Sequence, residues 1–253
     1  MGGTRGFGID IGGSGIKGCV VDLTAGRLEA ERIRIDTPDP ASPDLIAGVV
    51  KKIVDGFGWT GRVGVTLPAV IKQGVAMTAA NIDKSWIGTD ARTLFAERLG
   101  RTPDEVAVLN DADAAGMAEI RYGWPGDQSG VVVLLTFGTG IGSALFLDGK
   151  LVPNTEFGHL EVDGLDAETR AAASVKDEQD LSWEEWARRV SRYIRTLEDL
   201  IWPDLIIAGG GVSKKADRWL PLLDVRTRVV PAELRNDAGI VGAAVAAELG
   251  AKP

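Results

Sequence analysis

Apolar and polar positions alternate in blocks along this chain, and the sharpest blocks occur as two copies of one pattern. In the first copy, Phe7-Gly8-Ile9-Asp10-Ile11 enters Gly13-Ser14-Gly15-Ile16 and leaves through Cys19-Val20-Val21. In the second, Val131-Val132-Val133-Leu134-Leu135 enters Gly138-Thr139-Gly140-Ile141 and leaves through Ala144-Leu145-Phe146-Leu147. Each copy then reaches a turn and a basic-Leu pair, Arg27-Leu28 after Gly26 and Lys150-Leu151 after Asp148-Gly149. Short apolar runs bounded by glycine turns predict strands. The repetition predicts two related lobes, each offering backbone N–H groups at a glycine loop.

Around these copies the pattern predicts alternating strands and helices. Strands are expected over 7–11, 16–22 and 27–36, then a break at Pro38, Pro40 and Pro43. Ser42 and Pro43 begin a helix with Leu45, Val49 and Ile53 on one face. A buried strand over 62–67 ends at Pro68, a loop runs to Trp86, and a short helix spans 90–99. The strand 106–109 presents Asn110-Asp111 at its end, and a helix over 112–122 follows at once. After the second glycine pattern, the polar stretch 163–180 reads as a mobile loop. Ser182 and Glu185 form a capping box for a helix running to Trp202. The strand 205–208 runs into Gly209-Gly210-Gly211, Ser213 begins a helix, and the apolar helix 238–249 is expected to be buried.

Composition narrows the class. The 253 residues are 45% apolar and 25% charged, ordinary globular material, and no apolar run approaches the length of a membrane span. The first residues carry no signal-peptide core. Cys19 is the only cysteine, which excludes an intramolecular disulfide and a cysteine zinc site. These features fit the cytoplasm and no membrane partner. The formal charge of −8 argues against wholesale nucleic-acid binding, so a polyanion has to be met by a local basic strip.

A chain of phosphates is the natural ligand of two such loops. The alternative is that both are tight hairpin turns and nothing more. Gly13-Ser14-Gly15-Ile16-Lys17-Gly18 formally matches the dinucleotide fingerprint, but β-branched residues follow where that fingerprint opens a helix. No P-loop string exists in the chain.

Taken in order, residues 10–18, Asn110-Asp111, 136–142, Glu156-Phe157-Gly158-His159 and 208–211 resemble a sugar kinase of the ROK family. The resemblance spans essentially the whole chain. It implies an α/β, actin-like ATPase (ribonuclease H-like) fold of two lobes with a central cleft. The expected lobes are 1–111, completed by the helix 238–253, and 112–237. Within the family the chain resembles the members that use inorganic polyphosphate. Leu160 to Val175 holds no cysteine where ROK proteins usually carry a zinc-binding segment. Thr136-x-x-Gly138-Thr139-Gly140-Ile141-Gly142-x-Ala144 has the form associated with polyphosphate use, and Ser182-x-x-x-Trp186-Ala187 matches a second such string. A helix cap and a core residue explain that last string equally well.

The resemblance assigns roles. Asp111, at a strand-to-helix junction, is the general base, a role worth roughly 10²–10⁴-fold in rate; its alternative is a helix N-cap. Asp10 faces the phosphate loop, where Mg²⁺ held through water is expected; its alternative is an Asp ordering its own turn. The donor-binding set is Asp10, Gly12, Gly13, Ser14, Gly15, Lys17, Gly138, Thr139, Gly140, Gly142, Gly209, Gly210, Gly211, Lys214 and Lys215. With Lys84, the lysines form a candidate polyphosphate strip, or are ordinary solvated side chains. Lys214 and Lys215 would lie in a helix first turn, where a bound anion offsets the dipole. The sugar-binding set is Asn81, Asn110, Asp111, Glu156, His159 and Glu161. The implied reaction moves a phosphoryl group from polyphosphate, with ATP as a second donor, to the 6-hydroxyl of glucose, mannose being a further acceptor. A homodimer and no zinc are implied as well. The rivals are an ATP-only hexose kinase of the family and a non-catalytic sugar sensor; regulators of that kind carry an N-terminal DNA-binding domain, for which a strand starting at Phe7 leaves no room.

Overall fold

The first glycine pattern folds as an antiparallel hairpin. Strands β1 (Arg5–Ile11) and β2 (Ile16–Asp22) pair from Arg5 opposite Asp22 to Ile11 opposite Ile16, and residues 12–15 form the turn. The computed structural model describes residues 4–251. Residues 1–3 of the expected first lobe and 252–253 at the end of the expected last segment lie outside the described residues. The chain divides into two units, one formed by residues 4–122 with 237–251, the other by Gly123–Asn236.

In the first unit, β3 (Arg27–Leu28) and β4 (Ile33–Ile35) both pair antiparallel with β2. The single strand expected over 27–36 is therefore two short ones, interrupted where Cys19 Sγ donates to the Ala30 carbonyl. Helix α1 (Pro43–Gly56) follows, then β5 (Val63–Leu67), the small hairpin β6 (Ile71–Lys72) and β7 (Val75–Ala76), α2 (Ala91–Leu99), β8 (Val106–Asn110) and α3 (Asp111–Ala118). The sheet order is β3-β2-β1-β5-β8, with β5 parallel to both β1 and β8. Phe7, Ile9 and Ile11 of β1 face one core with α1 and α2. The alternate residues face the C-terminal helix, Ala238–Leu249. There the helix lies directly on the sheet: a Cβ at Gly8 would collide with the Ile240 carbonyl.

Helix α1 buries Ile46, Val50 and Ile53, whereas Leu45 is 47% exposed. Val49 and Ile53 of the expected face are buried, and only Leu45 leaves it, because Ile46 and Ala47 supply the first buried turn. Helix α3 ends at Ala118 and passes into a π-helical turn, Glu119–Gly123, short of the α-helix expected to Tyr122. It packs on the C-terminal helix, where Gly242 meets the Ala114 carbonyl. That contact keeps α3 in the first unit, so the division falls after Tyr122 rather than after Asp111.

The second unit repeats the topology. Strands β9 (Val131–Phe137), β10 (Ile141–Leu147) and β11 (Lys150–Val152) form an antiparallel meander, and β14 (Leu205–Gly209) and β15 (Arg228–Pro231) add in parallel, giving the order β11-β10-β9-β14-β15. Between them lie the hairpin β12 (Glu161–Val162) and β13 (Leu165–Asp166), and helices α4 (Glu168–Ala171), α5 (Ala173–Glu178) and α6 (Trp183–Ile201). Ser182 and Glu185 close the capping box that starts α6. Its buried face, with Trp186, Val190, Ile194 and Leu197, packs on Val133, Leu135, Phe137 and Ile206. Each large apolar side chain so buried contributes about 1.5–3 kcal/mol, against about 0–1 kcal/mol for a surface ion pair. Packing, not the charged outer face, therefore holds α6.

Two expectations are corrected here. The stretch 163–180 is not a mobile loop: its small residues Ala167, Ala171 and Ala172 are buried, and the Trp186 indole donates to the Ala171 and Ala172 carbonyls at 3.1 and 3.2 Å. The helix expected at Ser213 is a 3-10 segment, Gly211–Arg218, broken by non-helical backbone at Lys215.

Candidate active site

Parallel strands deliver the first unit's candidates to one edge of the sheet. At the carboxyl end of β1, Asp10 lies beside Thr66 of β5 and opposite Lys17 of β2. The Thr66 hydroxyl donates to Asp10 Oδ1 at 3.1 Å and accepts from the Ile11 N–H at 3.2 Å. Lys17 Nζ stands 3.6 Å from Asp10 Oδ2, so the lysine crosses its own hairpin to the carboxylate. Beyond it the turn is tied by Gly12 N–H to the Gly15 carbonyl at 3.1 Å, by the Thr37 hydroxyl to the Gly12 carbonyl at 2.6 Å, and by Arg34 to the Ser14 carbonyl at 2.9 Å. Gly13 and Ser14 remain exposed. Asn81, in left-handed backbone at φ 58°, packs against Gly13, where an added Cβ would come 3.2 Å from the Asn81 Cβ. Lys84 is committed elsewhere, its Nζ donating to the Ala79 carbonyl at 2.6 Å.

The end of β8 separates the jobs of two neighbours. Asn110 is the N-cap of α3: its Oδ1 accepts from Ala112 N–H at 2.8 Å and Asp113 N–H at 3.2 Å, and its Nδ2 donates to the Ala69 carbonyl at 3.2 Å. A carboxamide has two N–H donors, which leaves the second for a ligand. Asp111 is the first helical residue, half-buried, with Oδ1 accepting from Ala112 N–H at 2.9 Å. The capping role weighed for Asp111 thus belongs to Asn110.

In the second unit the register sets Gly142, Thr136 and Gly209 side by side across β10, β9 and β14. This places the glycine turn and the Gly209-Gly210-Gly211 run at the same edge. Gly210 is required there: its φ is 83°, and a Cβ would collide with the Phe137 carbonyl. The turn is braced by Gly138 N–H to the Gly140 carbonyl at 2.9 Å and by Ser174, whose N–H meets the Gly138 carbonyl at 3.0 Å and whose hydroxyl meets the Thr139 carbonyl at 2.8 Å. A pocket of about 360 Å³ opens between these glycines, lined by Gly138, Thr139, Ser174, Lys176, Gly211 and Lys215 around Trp183. Lys176 Nζ lies 4.4 Å and Lys215 Nζ 5.9 Å from the Trp183 ring centroid. Lys215 is therefore placed at the loops, while Lys214 is exposed and lies outside this lining. The helix-dipole argument for both lysines fails with the 3-10 geometry, because a broken short turn has no sustained dipole.

The Glu156–His159 segment is a 3-10 turn pressed onto β10: Phe157 N–H donates to Ser143 Oγ at 2.9 Å, and a Cβ at Gly158 would collide with the Ile141 carbonyl. His159 Nδ1 is 2.8 Å from Asp166 Oδ2, and this bond pushes the imidazole above its usual range. Asp166 Oδ1 accepts from Glu168 N–H at 3.1 Å, and Glu168 Oε2 accepts from Ile141 N–H at 3.1 Å, at the end of the glycine turn. A continuous hydrogen-bonded path thus joins the histidine to the second loop. The ligand atoms of His159, Asp166 and Glu168 lie within 4.8 Å of one another, but these bonds already engage them. Glu156 has an exposed side chain, yet the protein packed around its carboxyl desolvates it enough to push it above the usual glutamate range. Glu161 is exposed on β12 opposite Asp166 and is not part of the His159 network.

Asp166, Glu168, Ser174, Lys176 and Trp183 have no place in the sequence reading. Asp166 and Glu168, close behind the Gly-His turn, were the visible signal for the first pair. Nothing in the spacing marks Lys176 and Trp183 as neighbours of the glycine turn.

The chain is similar to known proteins in sequence and in fold. The ROK family profile matches residues 6–178. A polyphosphate glucokinase of Mycobacterium tuberculosis is 59% identical over 242 residues, covering 96% of this chain and 91% of the relative. The crystal structure of an inorganic polyphosphate/ATP-glucomannokinase from Arthrobacter sp. strain KM superposes with a TM-score of 0.91 at 51% identity, covering 97% of this chain and 99% of the other. A ROK family glucokinase from Streptomyces griseus, solved with glucose and AMPPNP, gives a TM-score of 0.81 at 25% identity, covering 97% and 100%.

Proposed function

The chain belongs to the ROK family, and we propose that it transfers a phosphoryl group from inorganic polyphosphate, with ATP as a second donor, to the 6-hydroxyl of glucose. Mannose is the further acceptor, and the family resemblance adds a homodimer and a cytoplasmic setting. No helix among the described residues is long and apolar enough to cross a membrane. The observation that carries the donor side is the pocket that joins the second glycine turn, Gly211, Lys176 and Lys215. Backbone N–H groups hold phosphates of either donor, and the two ammonium groups suit the denser charge of a polyphosphate chain.

On the sugar side, Glu156 and His159 hold hydroxyl groups, with Asn81, Asn110 and Glu161 as further contacts. Asp111 accepts the proton of the attacking 6-hydroxyl as the new P–O bond forms, and the donor's remaining phosphate leaves with the electron pair. The Gly12–Gly15 and Gly138–Gly142 turns steady the phosphoryl oxygens. Asp10 fits a magnesium ion held through water: it is an oxygen ligand, anchored by Thr66 beside the first turn. When bound, the ion neutralises phosphate charge.

The test is product identification. Glucose and long-chain polyphosphate are mixed with the protein in magnesium buffer without nucleotide, and the product is read by phosphorus NMR. Glucose 6-phosphate is expected; orthophosphate alone would overturn the transfer reading.

A further inference from the structure

A second pocket in the same unit has no part in this scheme. It measures about 340 Å³ and is lined from β12, α4 and α6. Four arginines line it, Arg170 from α4 and Arg188, Arg189 and Arg192 from α6, against two carboxylates, Asp163 and Glu185. Both carboxylates are already engaged: Asp163 takes two hydrogen bonds from Arg192, at 2.6 and 3.1 Å, and Glu185 closes the capping box with Ser182. Arg189 donates to Gln179 Oε1 at 2.9 Å. Among the described residues, the Arg170 and Arg188 guanidinium groups have neither a hydrogen bond nor an ion pair. On a protein of formal charge −8, this is a local surplus of cationic donors.

The buried wall gives the independent sign of a ligand. Tyr193 is 1% exposed, lines the pocket, and its hydroxyl has no hydrogen-bond partner. Burial pushes the phenol far up, so it stays a donor. A buried donor without an acceptor costs about 1–3 kcal/mol, and an oxyanion in the pocket would meet both it and the exposed Arg170 and Arg188. The negative charges that act on the phenol, Asp166 and Glu168, are bound to His159 and to the Ile141 N–H. Helix α4 is shared between the two places: Glu168 braces the second glycine turn, and Arg170 lines the arginine pocket.

We propose that this pocket is a second phosphate site, which holds phosphoryl groups of the polyphosphate chain away from its reacting end. The assignment rests on polyphosphate being the donor. Arg170 and Arg188 supply charge-assisted hydrogen bonds, and the Tyr193 hydroxyl supplies the buried contact. ATP, which reacts at the glycine-turn pocket, does not need the site.

The experiment compares wild type with Arg170→Gln/Arg188→Gln and with Tyr193→Phe, each assayed with long-chain polyphosphate and with ATP. Either variant is expected to raise KM for polyphosphate, by about tenfold in the double variant, with kcat and the KM for ATP unchanged. Tyr193→Phe keeps the ring, so its melting temperature without phosphate should hold or rise. Calorimetry with tripolyphosphate should lose one binding event in the double variant. Unchanged polyphosphate KM, or equal loss with both donors, would overturn the site. Loss of the tripolyphosphate binding event with an unaltered polyphosphate KM would assign the pocket to a free phosphate compound and overturn the chain-holding role. A wild type inactive with polyphosphate would sink the donor reading itself, and the tripolyphosphate calorimetry would still decide the pocket.

Discussion

His159 presents Nδ1 to Asp166 Oδ2 at 2.8 Å, and that single bond decides what the imidazole can offer a sugar. With Nδ1 committed to the carboxylate, Nε2 is the nitrogen left for a hydroxyl group. The next links, Asp166 to Glu168 and Glu168 to Ile141, tie the same ring to the second glycine turn.

Asp166→Asn should therefore act on glucose through His159. Because His159 is the only histidine, its ring proton signals give a pKa without ambiguity. The carboxylate raises that pKa, so the variant should titrate lower than wild type. The sign for stability follows: the bond's contribution is fully present below about pH 6.5 and is lost as pH rises through the raised value. KM for glucose should rise about three- to tenfold. An unshifted titration would remove Asp166 as the positioning group.

Asp111→Ala should reduce turnover by roughly 10²–10⁴-fold or more, with glucose binding largely retained by calorimetry. Since Asn110 caps α3, the helix should keep its start and the melting temperature should change little. Turnover near wild type would exclude Asp111 as the base.

The lysines separate by position. Lys176→Gln with Lys215→Gln should raise KM for polyphosphate more than for ATP, because both flank Trp183 in the glycine-turn pocket. Lys214→Gln, outside that lining, should leave both constants unchanged. Equal losses for the two donors in the first variant would contradict a charge-based preference.

Much of this arrangement was legible in the sequence, for reasons that differ by element. The two glycine hairpins announce themselves because apolar runs and turn residues agree at every position, and the structure returns both with one strand order. The capping box at Ser182 and Glu185 is equally local. The 163–180 segment misleads because alanines do its packing: Ala167, Ala171 and Ala172 carry little hydrophobic signal, and the Trp186 indole that holds them comes later in the chain. Leu45 misleads because at the first turn the core takes Ile46 and Ala47 instead, while Val49 and Ile53 hold the expected face. Asn110 and Asp111 trade the capping role because only the backbone angles distinguish N-cap from first helical residue. The Lys176–Trp183–Lys215 group is a tertiary contact with no periodicity to reveal it.

Two substitutions test the scaffold beneath the donor pocket. Gly210→Ala forces a Cβ onto the Phe137 carbonyl at φ 83° and should cost about 1–3 kcal/mol. Trp186→Phe strips the donor from the Ala171 and Ala172 carbonyls and should cost about 1–3 kcal/mol. Denaturant melts read both; a neutral Gly210→Ala would mean the loop backbone relaxes.

Donor choice is the most direct test of the whole account. Initial rates of glucose 6-phosphate formation are measured with magnesium and saturating glucose, once with long-chain polyphosphate and once with ATP. Turnover with both donors, and a higher kcat/KM with polyphosphate, is the predicted result. Turnover with ATP and none with polyphosphate would contradict it and leave an ATP-dependent hexose kinase.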